Sequence, residues 1–143
     1  MITVRRATVG DAAVIYDLQY RLWPDDISDE AGVAALLARD DFGAFLAERD
    51  GVALGLAEAT LQHYVDGAPD GLSGFLQGIF VTGYDRRAGI GKLLLAAVED
   101  WLRARGVGYL GSDSDLENSP GAAWHEATGF IEVGRTINYA KRL

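Results

Sequence analysis

The chain has 143 residues, 49% of them apolar and 24% charged, with a formal net charge of −8, no cysteine and two histidines. That length fits one domain spanning residues 1–143 with a core of its own, and the composition is that of a globular protein. The missing thiols exclude disulfides, thiolate metal sites and a cysteine nucleophile, and so acidic a chain is a poor partner for nucleic acid or an anionic membrane.

The charge is unevenly spread. Residues 1–80 carry 13 acids and 5 bases, whereas residues 81–143 carry 8 of each. Such a surface aids solubility, and it also lets the first half of the chain collect cations. No apolar run is long enough to span a bilayer, and MITVRRAT reads as a strand rather than a signal peptide. A cytoplasmic location is expected. Two histidines far apart, with no thiol, leave no expected metal site.

In chain order, Ile2 to Thr8 alternates as a first strand. Asp11 is placed to cap a helix running to about Trp23, with Ala13, Val14, Leu18 and Leu22 as its buried stripe, and Pro24 stops it. The segment WPDDISDE then packs an aromatic and four acids into eight residues before a helix from about Glu30 to Arg39. Phe42 to Arg49 and Val52 to His63 read as two strands joined at Asp50-Gly51, a tight-hairpin signal. Asp66 to Gly74 is a loop rich in glycine, aspartate and proline.

Phe75 to Thr82 is short, rich in β-branched and aromatic residues, and reads as a central strand. From Ile90 the period changes: Ile90, Leu94, Ala97, Val98, Trp101 and Leu102 share one helical face, and Gly106 closes the helix. Gly108 to Ser112 reads as another buried strand, followed by Asp113, Asp115 and Glu117 at its carboxyl end, where open α/β sheets hold their ligands. Asn118 leads into a short helix with Pro120 in its first turn and Ala123, Trp124 and Ala127 toward the core. Phe130 to Lys141 supplies a final pair of strands.

The turn between strand and long helix carries the strongest chemical signal. Arg86, Arg87, Ala88, Gly89, Ile90, Gly91 and Lys92 combine arginines with glycines at the mouth of a helix. The glycines permit unusual dihedrals and close approach. The amides of the first turn, the helix dipole and the arginines then converge on an anion, with a pyrophosphate as the natural guest. A Gly-rich turn of this kind also serves as a plain helix cap.

This stretch resembles the acetyl-coenzyme A site of the GNAT superfamily of N-acetyltransferases, whose signature Q/R-x-x-G-x-G/A follows a bulged strand. The match falls on Arg86, Gly89 and Gly91. LQGIFV, SDSDLENS, HEATGF and EVGRTINYAKRL are similar to the aminoglycoside 6′-N-acetyltransferases, so the resemblance covers nearly the whole chain. It implies an α/β (α+β) GNAT fold: one mixed, mostly antiparallel sheet of about six or seven strands, splayed between the fourth and fifth, with about four helices.

The resemblance also implies roles. Free amides around Ile79, Phe80 and Val81 would bond the pantetheine arm of acetyl-CoA, and Asn118 matches a position that bonds the cofactor. An asparagine here could equally just cap the next helix. His125 stands four residues before Gly129, at the spacing where many GNAT enzymes place a tyrosine as general acid for the thiolate. A histidine can do that work near neutral pH, although a helix-surface histidine has the same spelling. Trp23 would stack on the sugar, Asp25 and Asp26 would meet ammonium groups, and Tyr64 aligns with a substrate contact in a loop one residue shorter here.

Two positions depart from the pattern. Gln77 stands where relatives carry an acid and cannot take a proton; Gly134 replaces a substrate-binding glutamate. Asp113 becomes the best acidic contact, with Glu58 and Glu132 as further candidates, and deprotonation is left to a water chain or to selection of the neutral amine. Acyl transfer is expected to be direct, in a ternary complex, with an aminoglycoside as acceptor. A polyamine, metabolite or peptide amine is the alternative, and a non-catalytic acyl-CoA-binding module is a third reading. Members of the family are often dimers, and a homodimer through the C-terminal strands is expected.

Overall fold

The computed structural model describes residues 1–143 apart from 26–28 and 84–87. Five strands form one sheet in sequence order: β1 (Thr3–Arg6), β2 (Phe42–Arg49), β3 (Val52–Gln62), β4 (Ser73–Val81) and β5 (Leu110–Ser112). The first three pairings are antiparallel and β4 pairs with β5 in parallel, which makes the sheet mixed and mostly antiparallel. Among the described residues there are four α-helices: α1 (Ala12–Leu22), α2 (Glu30–Leu37), α3 (Ile90–Ala104) and α4 (Ser119–Ala127).

Local chemistry sets the register. Asp50 and Gly51 both adopt positive φ (52° and 78°), the left-handed pair that a two-residue hairpin requires. Further along β3, pairing passes from Glu58↔Gly78 to Ala59↔Leu76, so Gln77 is the extra residue of a bulge in β4. At the end of α3, Gly106 (φ 74°) closes the helix, and the Val107 amide reaches the Leu102 carbonyl at 3.0 Å.

The sheet has a core on each face. On one, Ile90, Leu94, Leu95, Val98 and Leu102 of α3 pack on Ala57, Ala59 and Leu76. On the other, Ala12, Ile15 and Leu18 of α1 and Val33 of α2 cover Phe42, Ala44, Leu46 and Leu56. Each fully buried aliphatic side chain contributes about 1.5–3 kcal/mol, so α3 alone accounts for most of the attachment of its layer. At the far end of α3, Trp101 lies edge-on to Phe45 and beneath the guanidinium groups of Arg6 and Arg105, 5.4 and 5.0 Å from the ring centre.

Several expectations need correction. Among the described residues the sheet has five strands, not six or seven. Residues 131–143 form no strand and are exposed. In α1 the buried stripe is Ala12, Ile15, Leu18 and Gln19, while Ala13 and Val14 face outward. Asp11 stands at the N-cap of α1, as expected, but its side chain makes no cap bond there. It belongs to the 3-10 turn Val9–Asp11, accepting from the Thr8 amide at 2.8 Å and from Arg5 through both carboxylate oxygens at 2.8 Å. In α4 only Trp124 of the three expected core residues is sheltered; Ala123 and Ala127 are exposed. Among the described residues no helix is long and apolar enough to cross a membrane.

Candidate active site

Pairing of β4 with β5 runs only from Gly74↔Leu110 to Leu76↔Ser112. Beyond that point β4 continues through the bulge at Gln77 and the half-buried Ile79, Phe80 and Val81. Gln77 is exposed, and its side-chain amide donates to Thr60 Oγ1 at 3.0 Å. A carboxamide held this way can orient an amine or a water but takes no proton.

The N-terminus of α3 follows. Gly89 has φ 79°, a backbone conformation that a side chain would strain, although a Cβ there would meet nothing within 4 Å. At α2 and α4 the side chains of Asp29 and Asn118 cap the first turn, bonding Gly32 N at 2.7 Å and Gly121 N at 3.0 Å. Gly89 offers no such side-chain cap, so among the described residues the first turn of α3 presents its amides and the positive end of the dipole to a ligand. Ala88 and Lys92 are exposed, and Ile90 is buried as the anchor of the turn. A Cβ on Gly91 would lie 3.3 Å from the indole nitrogen of Trp124, so the glycine lets α4 come close. Arg86 and Arg87 lie outside the described residues.

On α4, His125 is held at both nitrogens. Nδ1 lies 2.6 Å from the carbonyl oxygen of Gly121, and Nε2 lies 2.7 Å from Ser112 Oγ. A carbonyl can only accept, so Nδ1 carries a hydrogen. The ring is further fixed by edge contacts to Trp124 and Phe130, at centroid distances of 5.1 and 5.0 Å. The Asn118 side-chain oxygen is occupied as the α4 cap, the structural alternative weighed above for this residue. Ser112 escaped sequence reasoning, because a small polar residue ending a strand looks like any other strand terminus.

The face of the sheet under α1 holds the aromatic candidate. A Cβ on Gly78 would come within 2.2 Å of Cη2 of Trp23, so the half-buried indole lies directly on β4, beside Gln77. Asp25 is exposed, and Asp26 lies outside the described residues. Glu58 is buried here, its Oε1 accepting from Gln19 Nε2 at 2.7 Å. Burial pushes its carboxyl upward, and the bond from Gln19 opposes this only in part.

Other candidates stand apart. Tyr64 is 78% exposed and donates to Asp66 at 2.9 Å, which raises the phenol because the anion would face a carboxylate. Asp113 is exposed directly after Ser112. Glu132 lies on the exposed C-terminal segment, where Arg135 holds its carboxyl below the ordinary range. The chain therefore gathers Gln77, Ser112, Asp113, His125 and the open turn of α3 around the end of the β4–β5 pairing, with Trp23 and Gln77 on the α1 face. It does not bring Tyr64 or Glu132 into contact with that cluster. An open recess of about 380 Å³ between α1 and the start of β3, lined by residues such as Leu18, Arg21 and Val52, contains none of the candidates. Among the described residues no group of three or more histidines and carboxylates could hold a metal ion.

The acetyltransferase (GNAT) family model matches residues 12–130. The chain belongs to the GNAT acetyltransferase family. Among GNAT relatives, an aminoglycoside N(6′)-acetyltransferase type 1 from Stenotrophomonas maltophilia is 39% identical over 139 residues, covering 96% of this chain and 91% of the relative. One of the same name from Salmonella typhimurium is 40% identical over 129 residues, covering 87% and 88%. The GNAT structure of AAC(6′)-Iy in complex with the bisubstrate analogue CoA-S-monomethyl-acetylneamine superposes with a TM-score of 0.93 at 35% identity, covering 100% of this chain and 99% of that one.

Proposed function

We propose that this chain is an acetyl-CoA-dependent N-acetyltransferase that modifies the 6′-amine of aminoglycoside antibiotics and so confers resistance. One observation carries the reading: the chain matches, almost end to end and at a TM-score of 0.93, an enzyme solved with a coenzyme A–acetylneamine bisubstrate analogue. The site fits that co-substrate. The uncapped turn from Gly89 to Lys92, with Ala88, Arg86 and Arg87 before it, takes the pyrophosphate. The β4 edge at Ile79, Phe80 and Val81, where strands four and five part, takes the pantetheine arm as an added strand, and Asn118 lies beside it. A backbone amide of that edge polarises the thioester carbonyl as it gains charge.

The acceptor lies on the α1 face. Trp23 stacks on the sugar, and Asp25, Asp26 and Asp113 meet its ammonium groups. Gln77 orients the reacting amine, and His125 is the source of the proton that the departing thiolate takes. The chain acts as one domain, in the cytoplasm where acetyl-CoA is made, and as a homodimer. Support for the dimer comes from residues 131–143, where Ile131, Val133, Ile137 and Tyr139 are 62–89% exposed at alternate positions. An exposed segment whose apolar residues alternate in this way fits a second copy of the same chain.

The test is an acetyl-CoA turnover panel with 6′-amino and 6′-hydroxy aminoglycosides, spermidine and a lysine peptide. Turnover confined to the 6′-amino compounds is expected. Preference for spermidine or peptide moves the acceptor elsewhere, and tight coenzyme A binding without turnover overturns catalysis.

A further inference from the structure

We propose that Ser112 is a second catalytic residue of this site, passing its hydroxyl proton to the coenzyme A thiolate and drawing a replacement from His125. The inference rests on the acetyl-transfer reading above.

The hydrogen bonds of the pair dictate it. Nδ1 of His125 is committed to the Gly121 carbonyl in either charge state, because that oxygen can only accept. Nε2 is committed to Ser112 Oγ at 2.7 Å. The ring thus has no N–H left to aim at a sulfur. In the neutral ring, Nε2 accepts the serine hydrogen. In the protonated ring, Nε2–H donates to Oγ, and the hydroxyl hydrogen is then free to turn outward. The serine is the delivering end of the relay and the imidazole its reservoir.

The position of the serine agrees. Ser112 is the last residue of β5, half-buried, and pairs with Leu76 where the β4–β5 ladder stops. The next residue on β4 is Gln77. The hydroxyl therefore sits at the inner end of the opening between the two strands, where a thioester laid along β4 would leave its sulfur. His125 cannot swing away to do the work directly, since Trp124 and Phe130 pack edge-on against its ring.

The step balances. The amine nitrogen forms its bond to the acetyl carbon, and the carbon–sulfur bond breaks with its electron pair on sulfur. Sulfur takes the Ser112 proton, Oγ takes the Nε2 proton, and the imidazolium becomes the neutral Nδ1–H form. The proton lost by the acylated nitrogen passes to water, from which the ring is recharged.

The experiment compares Ser112→Ala, His125→Ala and the double variant in the full chain. With acetyl-CoA each single variant should lose about 100-fold in kcat, with coenzyme A affinity by calorimetry within about twofold of wild type. The double variant should be no worse than the poorer single one, because the two residues act as one unit. With an acetyl thioester of an acidic aryl thiol, which leaves without a proton, the deficit should shrink to within about threefold. A merely structural serine would impair both thioesters alike, and that result, or full activity of Ser112→Ala with acetyl-CoA, overturns the proposal. Nitrogen NMR adds a readout independent of turnover, since His63 and His125 are the two histidines. Neutral His125 should carry its hydrogen on Nδ1, and finding it on Nε2 also overturns the relay. Failure of the functional reading looks different: the wild-type chain then acetylates no 6′-amino compound.

Discussion

Glu58 is sealed between β3 and α1 with the side-chain amide of Gln19, at 2.7 Å, as its hydrogen-bond partner. Across the sheet it faces Ala44 on β2 and Gly78 on β4, neither of which carries charge. Burial raises its folded-state value above the ordinary 4.5. A raised carboxyl favours the fold below the unfolded value and loses that contribution as pH rises through the folded value. Glu58→Gln keeps the acceptor for Gln19 and removes the titration. The variant should melt a few degrees above wild type at pH 8, with the gap closing toward pH 4.5 (1 kcal/mol is about 2–8 °C at domain size). Equal melting at pH 8 would count against it.

Asp11 has the opposite sign. Bidentate hydrogen bonding from Arg5 pulls its carboxyl down to about 2, and the Thr8 amide helps. Its stabilisation is present above the ordinary value of 3.8 and is lost as pH falls through about 2. Asp11→Ala should cost about 1 kcal/mol in urea unfolding at pH 7, of the order of losing a helix cap. The difference from wild type should narrow steadily below pH 4. A constant difference down to pH 3 would show that something other than the ionised carboxylate is at work.

Gly78 and Trp23 make a separable prediction for the acceptor side. A methyl on Gly78 would sit 2.2 Å from the indole, so Gly78→Ala must displace Trp23. The KM for aminoglycoside should rise about tenfold, on the order of 1.4 kcal/mol, while that for acetyl-CoA changes little. A larger effect on acetyl-CoA would place Trp23 with the thioester instead.

Gly89 tests the cofactor side. Valine at φ 79° is strained by about 1–2 kcal/mol and distorts the open turn of α3. Gly89→Val should weaken coenzyme A binding at least tenfold by calorimetry, with the sheet intact by circular dichroism. Unchanged affinity would remove the turn from the binding site.

The exposed C-terminal segment predicts an assembly. The full chain should run at twice its own mass in light scattering, and a chain ending after Phe130 should run as a monomer. A full-length monomer at micromolar concentration would leave Ile131, Val133, Ile137 and Tyr139 without the partner proposed for them.

Period and turn chemistry made most of the sheet legible. Asp50-Gly51 announced the hairpin, the change of period at Ile90 announced α3, and Gly106 its end. What stayed hidden depends on three dimensions. The buried stripe of α1 keeps the expected Leu18 but runs through Ala12, Ile15 and Gln19 in place of Ala13, Val14 and Leu22, because the same periodicity allows either phase and the helix starts from the 3-10 turn at Val9–Asp11. The last two strands are written in the alternation of Ile131, Val133, Ile137 and Tyr139, but alternation alone does not supply a neighbour to pair with. His125 was readable from its spacing to Gly129, whereas Ser112 becomes notable only when α4 folds back against the end of β5.

The parallel contact between β4 and β5 is three residue pairs long and is made only after the chain has travelled through the whole of α3. Antiparallel hairpins close locally and early, while a pairing between distant segments forms late. The catalytic opening is thus expected to form after the local β2–β3 and β3–β4 hairpins. A thioester lying along it would bridge the two strands and add to their cohesion in proportion to the logarithm of its concentration. In a cell, the supply of acetyl-CoA would then govern how long each molecule of the enzyme survives proteolysis, as well as how fast it works.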